Sequence, residues 1–551
     1  MADRADRPSW RRLGAWTAAY TAAAVLMCAP FLPLHRLGGT PAWGDARLIA
    51  WTLAWHARWP LTGDGPLDAP MFRPEPRGLV HSEPMVGLGL AAAPVTALAG
   101  PYVAFDLLRL LIPVANALAM ALLVWQVRRD GWAAATAGAV MGFSHAQLAS
   151  SYMGMVHLAL VAGLLLGARA VDRWWTGERR ADLVAAVAWS SAQALVAWYG
   201  AVITLVVLTV QLAWLTLAER VRAAVLARRI VELSVAGAVG ALVLWPLASP
   251  FLAVPAPALD ELRRFSLDWR WYVTPPRDTW LGAWMSGAPG SATAWDYRGS
   301  YFVGLGTAVA AIAGVGALPR DHAGRRLLWA LPLVAIGGAL SLGPSADGSS
   351  WRLFDLLSGV PGVAAFRVPG RMAVLVTIGL AILAGCGVAA MNQARRPWAA
   401  ALVMAMLVAE SYFWYPPPDA SPPLETPPLI AAVRAERPDL LVIAPLLGGS
   451  LEWPHEADYL HIVRPSWTPV VNGYGRSTSA IYDLLRARFA EGPGPALVDA
   501  LRFAGVTHVL VLSRYDPVTS AAFIAAAADV PGFDLVARDG DDAFYRVRPA
   551  Q

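Results

Sequence analysis

The feature that most restricts this chain is an alternation: apolar stretches recur along most of it, and arginines gather in every second connection between them. A helix crosses a hydrocarbon core with about 20 apolar residues, and basic residues stay on the cytoplasmic side. Residues 13–34 meet that length behind Arg4, Arg7, Arg11 and Arg12. No small-residue cleavage site follows, so they read as a retained first span with a cytoplasmic N-terminus. Further spans are expected at 102–125, 133–148, 155–170, 183–197, 201–217 and 231–252, at two stretches flanking Arg320 to Arg326, and at two flanking Arg395 and Arg396. All the arginine clusters then fall on one side, and an odd count of about eleven spans leaves everything after residue 416 outside.

Composition supports this reading. With 57% hydrophobic and 15% charged residues in 551, the chain is too apolar for a soluble protein. Its net charge of +5 does not indicate a nucleic-acid partner, because the arginines, which are all of its basic residues, lie in short topological clusters. Cys28 and Cys386 lie inside apolar spans without metal-like spacing, as small buried residues do.

The first external segment, 35–100, is too polar to cross a membrane. It opens on Trp43-Gly44-Asp45-Ala46-Arg47. Asp45 is placed to act as a general base at the membrane surface, and equally to cap the amphipathic helix expected over 46–59. Trp43, Trp51, Trp55 and Trp59 give that helix an indole row, which suggests that it lies flat at headgroup level. His81-Ser82-Glu83-Pro84 opens an apolar helix. Glu83, like Asp45, stands beside apolar surface that would tune a carboxylate toward a base, and Ser82 or Glu83 is also ordinary capping chemistry.

Later external turns supply further candidates. His145, Tyr152 and His157 fall where two spans approach the outer surface, and Tyr199 falls at the next outer turn. Polar groups there suit a phosphate or a sugar, while buried interhelical histidines and an interfacial aromatic belt are the plainer readings. The loop 255–299 is long and aromatic, with Trp269 and Tyr272. Phe366-Arg367-Val368-Pro369-Gly370-Arg371 precedes the tenth span. Arg367 and Arg371 break the positive-inside pattern at a helix start, where guanidinium and backbone N–H groups suit phosphate and headgroup snorkelling is the alternative. Residues 416–551 lose the long apolar runs and read as a small α/β domain. Strands are expected at 440–444, 506–512, 533–536 and 543–547, and helices at 478–489, 495–503 and 518–527.

Taken together, Gly44-Asp45-Ala46, His81-Ser82-Glu83-Pro84, Phe366 to Arg371, Val471-Asn472-Gly473-Tyr474 and Gly505-Val506-Thr507-His508-Val509-Leu510-Val511 sit in an architecture that resembles the C-type (GT-C) membrane glycosyltransferases, including bacterial YfhO-like proteins. The expected fold is an α-helical polytopic membrane protein with external juxtamembrane helices and a small C-terminal α/β extracytoplasmic domain. Domains are expected at 1–415 and 416–551. The resemblance implies a polyprenyl-phosphate-linked sugar donor and an Asp45 base. The paired acids of many relatives are missing here, so Glu83 is the candidate partner, and a divalent metal or other cofactor is not supported. The implied reaction is transfer of a sugar to a lipid, glycan or protein acceptor on the outer face of a bacterial cytoplasmic membrane, among membrane lipids and with no nucleic acid. Arg367 and Arg371 would hold the donor phosphate, and His81, His145, His157, Tyr152, Tyr199, Trp269 and Tyr272 are substrate-binding candidates. The rival expectation is a non-catalytic lipid-carrier flippase or envelope-polymer assembly factor. A transporter carries charged residues or broken helices near the bilayer midplane. In the sequence such features are few, since Asp106, Glu232 and Glu410 fall near span ends.

Overall fold

A computed structural model describes residues 8–30, 32, 34–39, 41, 44–254, 257–276, 279–286, 301–318, 322–345, 352–357, 367–394, 397–412, 424, 426–448 and 453–550. Trp43, Phe366 and parts of the loops 255–299 and 347–372 lie outside the described residues. Helices run in chain order as α1 (Trp10–Cys28), α2 (Gly44–Thr62), α3 (Val86–Ala99), α4 (Pro101–Arg128), α5 (Gly131–Phe143), α6 (His145–Tyr152), α7 (Val156–Ala159), α8 (Ala162–Gly177), α9 (Arg180–Val196), α10 (Trp198–Ala218) and α11 (Ala223–Ala248). Helices Leu305–Ala317, Ala330–Ser341, Ala373–Gln393 and Pro397–Ser411 follow. Among the described residues, five helical segments are long and apolar enough by themselves to cross a membrane. The chain is an integral membrane protein.

The chain divides into two compact units, 1–37 with 106–417 and 38–105 with 418–551. The external segment 38–105 groups with the C-terminal residues rather than with the membrane helices.

In the first unit the helix Ala373–Gln393 is buried along most of its length, packed against α5 and against helices Leu305–Ala317 and Ala330–Ser341. Between lipid-embedded helices, close backbone approach replaces the hydrophobic effect as the source of cohesion. Two glycines allow it: a Cβ on Gly387 would sit 1.9 Å from the Ala310 carbonyl oxygen, and one on Gly314 would sit 2.0 Å from that of Leu383. Glu410 is buried and accepts the Gly306 N–H at 3.1 Å, satisfying an orphan donor at a helix start. At the arginine-bearing ends, Asp172 accepts from Arg326 at 2.5 Å and from Gln126 at 2.8 Å, which ties three elements together. Helix α11 leaves Val231, Val235, Val239, Leu242 and Val243 exposed, as a lipid-facing helix does.

The second unit has a four-stranded sheet of β1 (Leu441–Ala444), β2 (His508–Val511), β3 (Phe533–Asp539) and β4 (Asp542–Val547) in the order β1-β2-β4-β3. β1 and β2 are parallel and the other pairs antiparallel. The four strands overlap the four stretches expected to be extended. Loop 70–73 is laced to residues 470–472, with Phe72 N–H donating to the Asn472 carbonyl at 3.1 Å and Arg73 N–H to that of Val470 at 3.0 Å.

The indole row of α2 corrects an expectation. Trp51 and Trp55 are 1% and 2% exposed and pack on Trp467, so this face is the interior of the unit and not a headgroup-level stripe. Helix α2 packs against helix Glu456–Val463, and Ala46 to His56 are all buried. Cys28 and Cys386 are free and buried.

Candidate functional site

The third and fourth expected spans are each interrupted. The chain leaves α5 at Ser144 and turns through Gly154 in the left-handed region at φ 76°. One helical turn, α7, follows, and α8 starts only at Ala162. An interruption among apolar helices strands backbone groups at a cost of several kcal/mol each unless side chains take them. Two buried amides do so. Asn116 of α4 accepts the Val161 N–H at 2.9 Å and donates to the Ala159 carbonyl at 2.7 Å. Gln193 of α9 donates to the Leu160 carbonyl at 2.7 Å and accepts the Leu164 N–H at 3.2 Å. This broken helix was not legible in the sequence, which suggested few such breaks.

The break opens a cavity of about 120 Å³ inside the first unit. His157 and Gln147 line one wall, Gln193 and Tyr199 another, and Phe265, Tyr301, Val368 and Arg371 a third. The Arg371 guanidinium lies 4.3 Å from the Tyr199 ring centroid, a cation–π contact. Among the described residues it makes no hydrogen bond or ion pair, so a half-buried cation faces the cavity without a counter-ion. His157 is 5% exposed, and its Nδ1 has no hydrogen-bond partner among the described residues. The cavity therefore presents a positive group, with the buried His157 ring in its lining, inside mostly apolar walls, which suits an anionic headgroup with an apolar tail.

Arg367 and Arg371 are not brought together here. Arg367 is ion-paired with Glu261 at 2.5 Å and stacks near Phe265, and it does not line the cavity. The backbone N–H groups expected to add anion-binding capacity are already spent: Gly370 N–H donates to the Phe265 carbonyl and Arg371 N–H to that of Val368, both at 3.1 Å. His145 is buried with its ring 6.4 Å from that of Phe302, Tyr272 exchanges a hydrogen bond with Ser341 at 2.7 Å, and Trp269 is exposed. None of the three lines the cavity. Tyr152 ends α6, and its side chain lies outside the described residues.

In the second unit Asp45 occupies the first turn of α2, half-buried, where a carboxylate also favours the helix dipole. That turn is clamped by residues from the far end of the chain. Buried Arg47 pairs with buried Asp458, which also accepts from Tyr515, and Arg47 Nε donates to the Pro41 carbonyl at 2.7 Å. His461 Nε2–H donates to the Arg47 carbonyl at 2.8 Å, which leaves Nδ1 to accept from Tyr102 at 3.1 Å. Burial lowers the His461 pKa to about 4, so it is neutral at physiological pH. Asp458 and His461 went unnoticed in the sequence because nothing local links them to Arg47.

Glu83 is half-buried ahead of Pro84, whose carbonyl accepts His56 Nε2–H at 2.5 Å. His56 is buried, and burial lowers its pKa to about 4. His81 bridges Ser477 at 3.1 Å and Glu75 at 3.3 Å, and burial, the larger influence, lowers its pKa against the pull of Glu75. Among the described residues no three His, Cys, Asp or Glu side chains are grouped to hold a metal ion.

No family profile matches the chain, and no curated protein does. Solved structures do. The arabinofuranosyltransferase AftD from Mycobacteria matches with a TM-score of 0.55 at 15% identity over 98% of this chain and 40% of its own. The Archaeoglobus fulgidus oligosaccharyltransferase matches with a TM-score of 0.50 at 13% identity over 95% of this chain and 72% of its own. The chain thus spans well under half the length of the mycobacterial enzyme. At these identities the likeness shows the fold alone, which this chain shares with those two structures.

Proposed function

We propose that this chain is a glycosyltransferase that moves a sugar from a polyprenyl-phosphate-linked donor to an acceptor on the outer face of a bacterial cytoplasmic membrane. The observation that carries the reading is Arg371, a half-buried guanidinium with no counter-ion among the described residues, opening on a cavity formed by a broken helix. The acceptor hydroxyl oxygen attacks the anomeric carbon and loses its proton to the Asp45 carboxylate. The bond from that carbon to the phosphate oxygen breaks with inversion, and the polyprenyl phosphate leaves with the electron pair. Arg371 stabilises the charge gathering on the departing phosphate, with His157 as a further hydrogen-bonding partner. Glu83 serves as the second carboxylate. Arg367 belongs to the site only if its pairing with Glu261 opens.

The test is transfer of radiolabelled sugar from a panel of polyprenyl-phosphate donors by the full chain in lipid. Asp45→Asn is expected to lower the rate by about 10²–10⁴ while donor still binds. Transfer that survives in Asp45→Asn would remove Asp45 as the base and leave the enzyme standing. The helix break favours one other reading, a non-catalytic carrier of the same lipid, since transporters build their sites on interrupted helices. Donor binding without transfer to any supplied lipid, glycan or peptide acceptor would favour that carrier.

A further inference from the structure

We propose that the second unit carries a binding groove for short neutral oligosaccharides, centred on Trp467. The groove encloses about 380 Å³, within the range of small-ligand sites, and is lined by Trp55, Arg58, Asp68, Arg73, Asp439 and Trp467 among others. It lies wholly inside the second unit and has no part in the cavity around Arg371.

Three observations point to a sugar. First, Trp467 is held at φ 51°, a left-handed backbone that a bulky side chain adopts at a cost of about 1–3 kcal/mol. Its N–H donates to the Val463 carbonyl at 3.0 Å, and its ring rests 5.7 Å from that of Trp51 and 5.8 Å from that of Trp55. The indole is thus fixed in place on buried neighbours while it borders the groove. Second, part of the hydrogen-bonding capacity around it is unspent, although Arg73 donates to the Asp68 carbonyl and Asp64 accepts from Thr62, both at 2.6 Å. The Arg58 guanidinium lies 5.2 Å from the Trp467 ring centroid, and neither it nor Asp439 makes a hydrogen bond or ion pair among the described residues. Asp68 commits only Oδ2, which accepts the Gly65 N–H at 3.2 Å. Third, the mixture of groups fits one ligand chemistry. A sugar ring offers an apolar C–H face for an indole and a rim of hydroxyls that donate to carboxylates and accept from guanidinium groups. Asp64, Asp68 and Asp439 outnumber Arg58 and Arg73, which disfavours a polyanion, and the scarcity of aliphatic lining disfavours an acyl chain.

The experiment is calorimetric titration of the full chain in lipid nanodiscs with maltohexaose, cellohexaose, laminarihexaose, xylohexaose and, as the polyanion, heparin hexasaccharide. At least one neutral sugar is expected to bind. Trp467→Ala should weaken that binding about tenfold or more, and Trp467→Phe should restore most of it. Arg58→Gln and Asp439→Asn, which break no hydrogen bond or ion pair among the described residues, should each weaken it severalfold with the fold intact. Failure of every neutral sugar to bind, preference for heparin, or binding indifferent to all these variants would overturn the proposal. Sugar binding that persists in Arg371→Gln separates this groove from the donor cavity, so either reading can fail alone.

Discussion

Arg371 illustrates how a residue becomes a candidate for a site. Four residues earlier in the same polar stretch, Arg367 has the same charge and the same apolar flank, yet it pairs with Glu261, a partner 106 positions away. Sequence spacing ranked the two equally because that partner is visible only after folding. A phosphate contact from an arginine contributes about 1.5–3 kcal/mol, so Arg371→Gln should weaken binding of a polyprenyl phosphate by roughly tenfold to a hundredfold, and Arg367→Gln by far less. Equal losses in the two variants would return Arg367 to the site. Three buried groups of the second unit titrate with opposing signs. His56 and His461 have pKa values lowered from 6.5 to about 4, so their contributions to stability are complete above pH 6.5 and fade as pH falls. Burial raises Glu456 from 4.5 to about 7 although Leu447, Asn472 and Tyr482 donate to it, so its contribution is complete below pH 4.5 and fades as pH rises. Between 4.5 and 6.5 the unfolded chain holds two of these protons and the folded chain one, giving a stability that rises with pH by about 1.4 kcal/mol per pH unit. Glu456→Gln removes the opposing group and should roughly double that slope. Hydrogen exchange of the sheet amides, measured across this range, checks both values.

At the scale of elements, the helices and strands were legible because their signals are local: apolar runs of spanning length, short apolar runs in the strands, Gly and Pro between them. The interruption between α7 and α8 was not, because the sequence from Met155 to Ala170 is apolar apart from His157 and Arg169 and has no proline. What breaks it is tertiary. Asn116 and Gln193, 45 and 29 residues from the amides they accept, offer hydrogen bonds that compete with helix propagation. Gln193→Leu keeps the volume but leaves the Leu160 carbonyl and the Leu164 amide unpaired in an apolar setting, at about 1–3 kcal/mol each. That variant is expected to lower the unfolding temperature in detergent and to lose polyprenyl-phosphate binding although Arg371 is untouched. A destabilised protein that binds the lipid normally would show that the break does not shape the cavity. The indole row of α2 was misread for a related reason. A stripe of tryptophans looks the same in sequence whether it meets headgroups or another part of the chain, and here Trp467 covers it.

The whole molecule is two units, each assembled from two separate stretches of chain, so neither corresponds to a continuous segment. Segment 38–105 contains helices and a loop that bury apolar surface against residues more than 350 positions later, through the Arg47–Asp458 pair, the His461 bond to the Arg47 carbonyl and the lacing of loop 70–73 to residues 470–472. Removing residues 418–551 would therefore cost the remaining chain more than an accessory domain. Trp51, Trp55 and Phe72, all 2% exposed or less, would meet water, and Arg47 would lose its carboxylate. Loss of a buried pair's partner alone costs about 3–5 kcal/mol. The truncated protein is expected to keep its membrane helices, to become protease-sensitive between residues 38 and 105, and to lose transfer completely because the turn carrying Asp45 is no longer held. Limited proteolysis of both forms in nanodiscs, read by mass spectrometry, decides it. If 38–105 stays protected after truncation, that segment folds on its own and the C-terminal residues only decorate it; if it is cut first, the base proposed at Asp45 depends for its position on residues at the opposite end of the sequence.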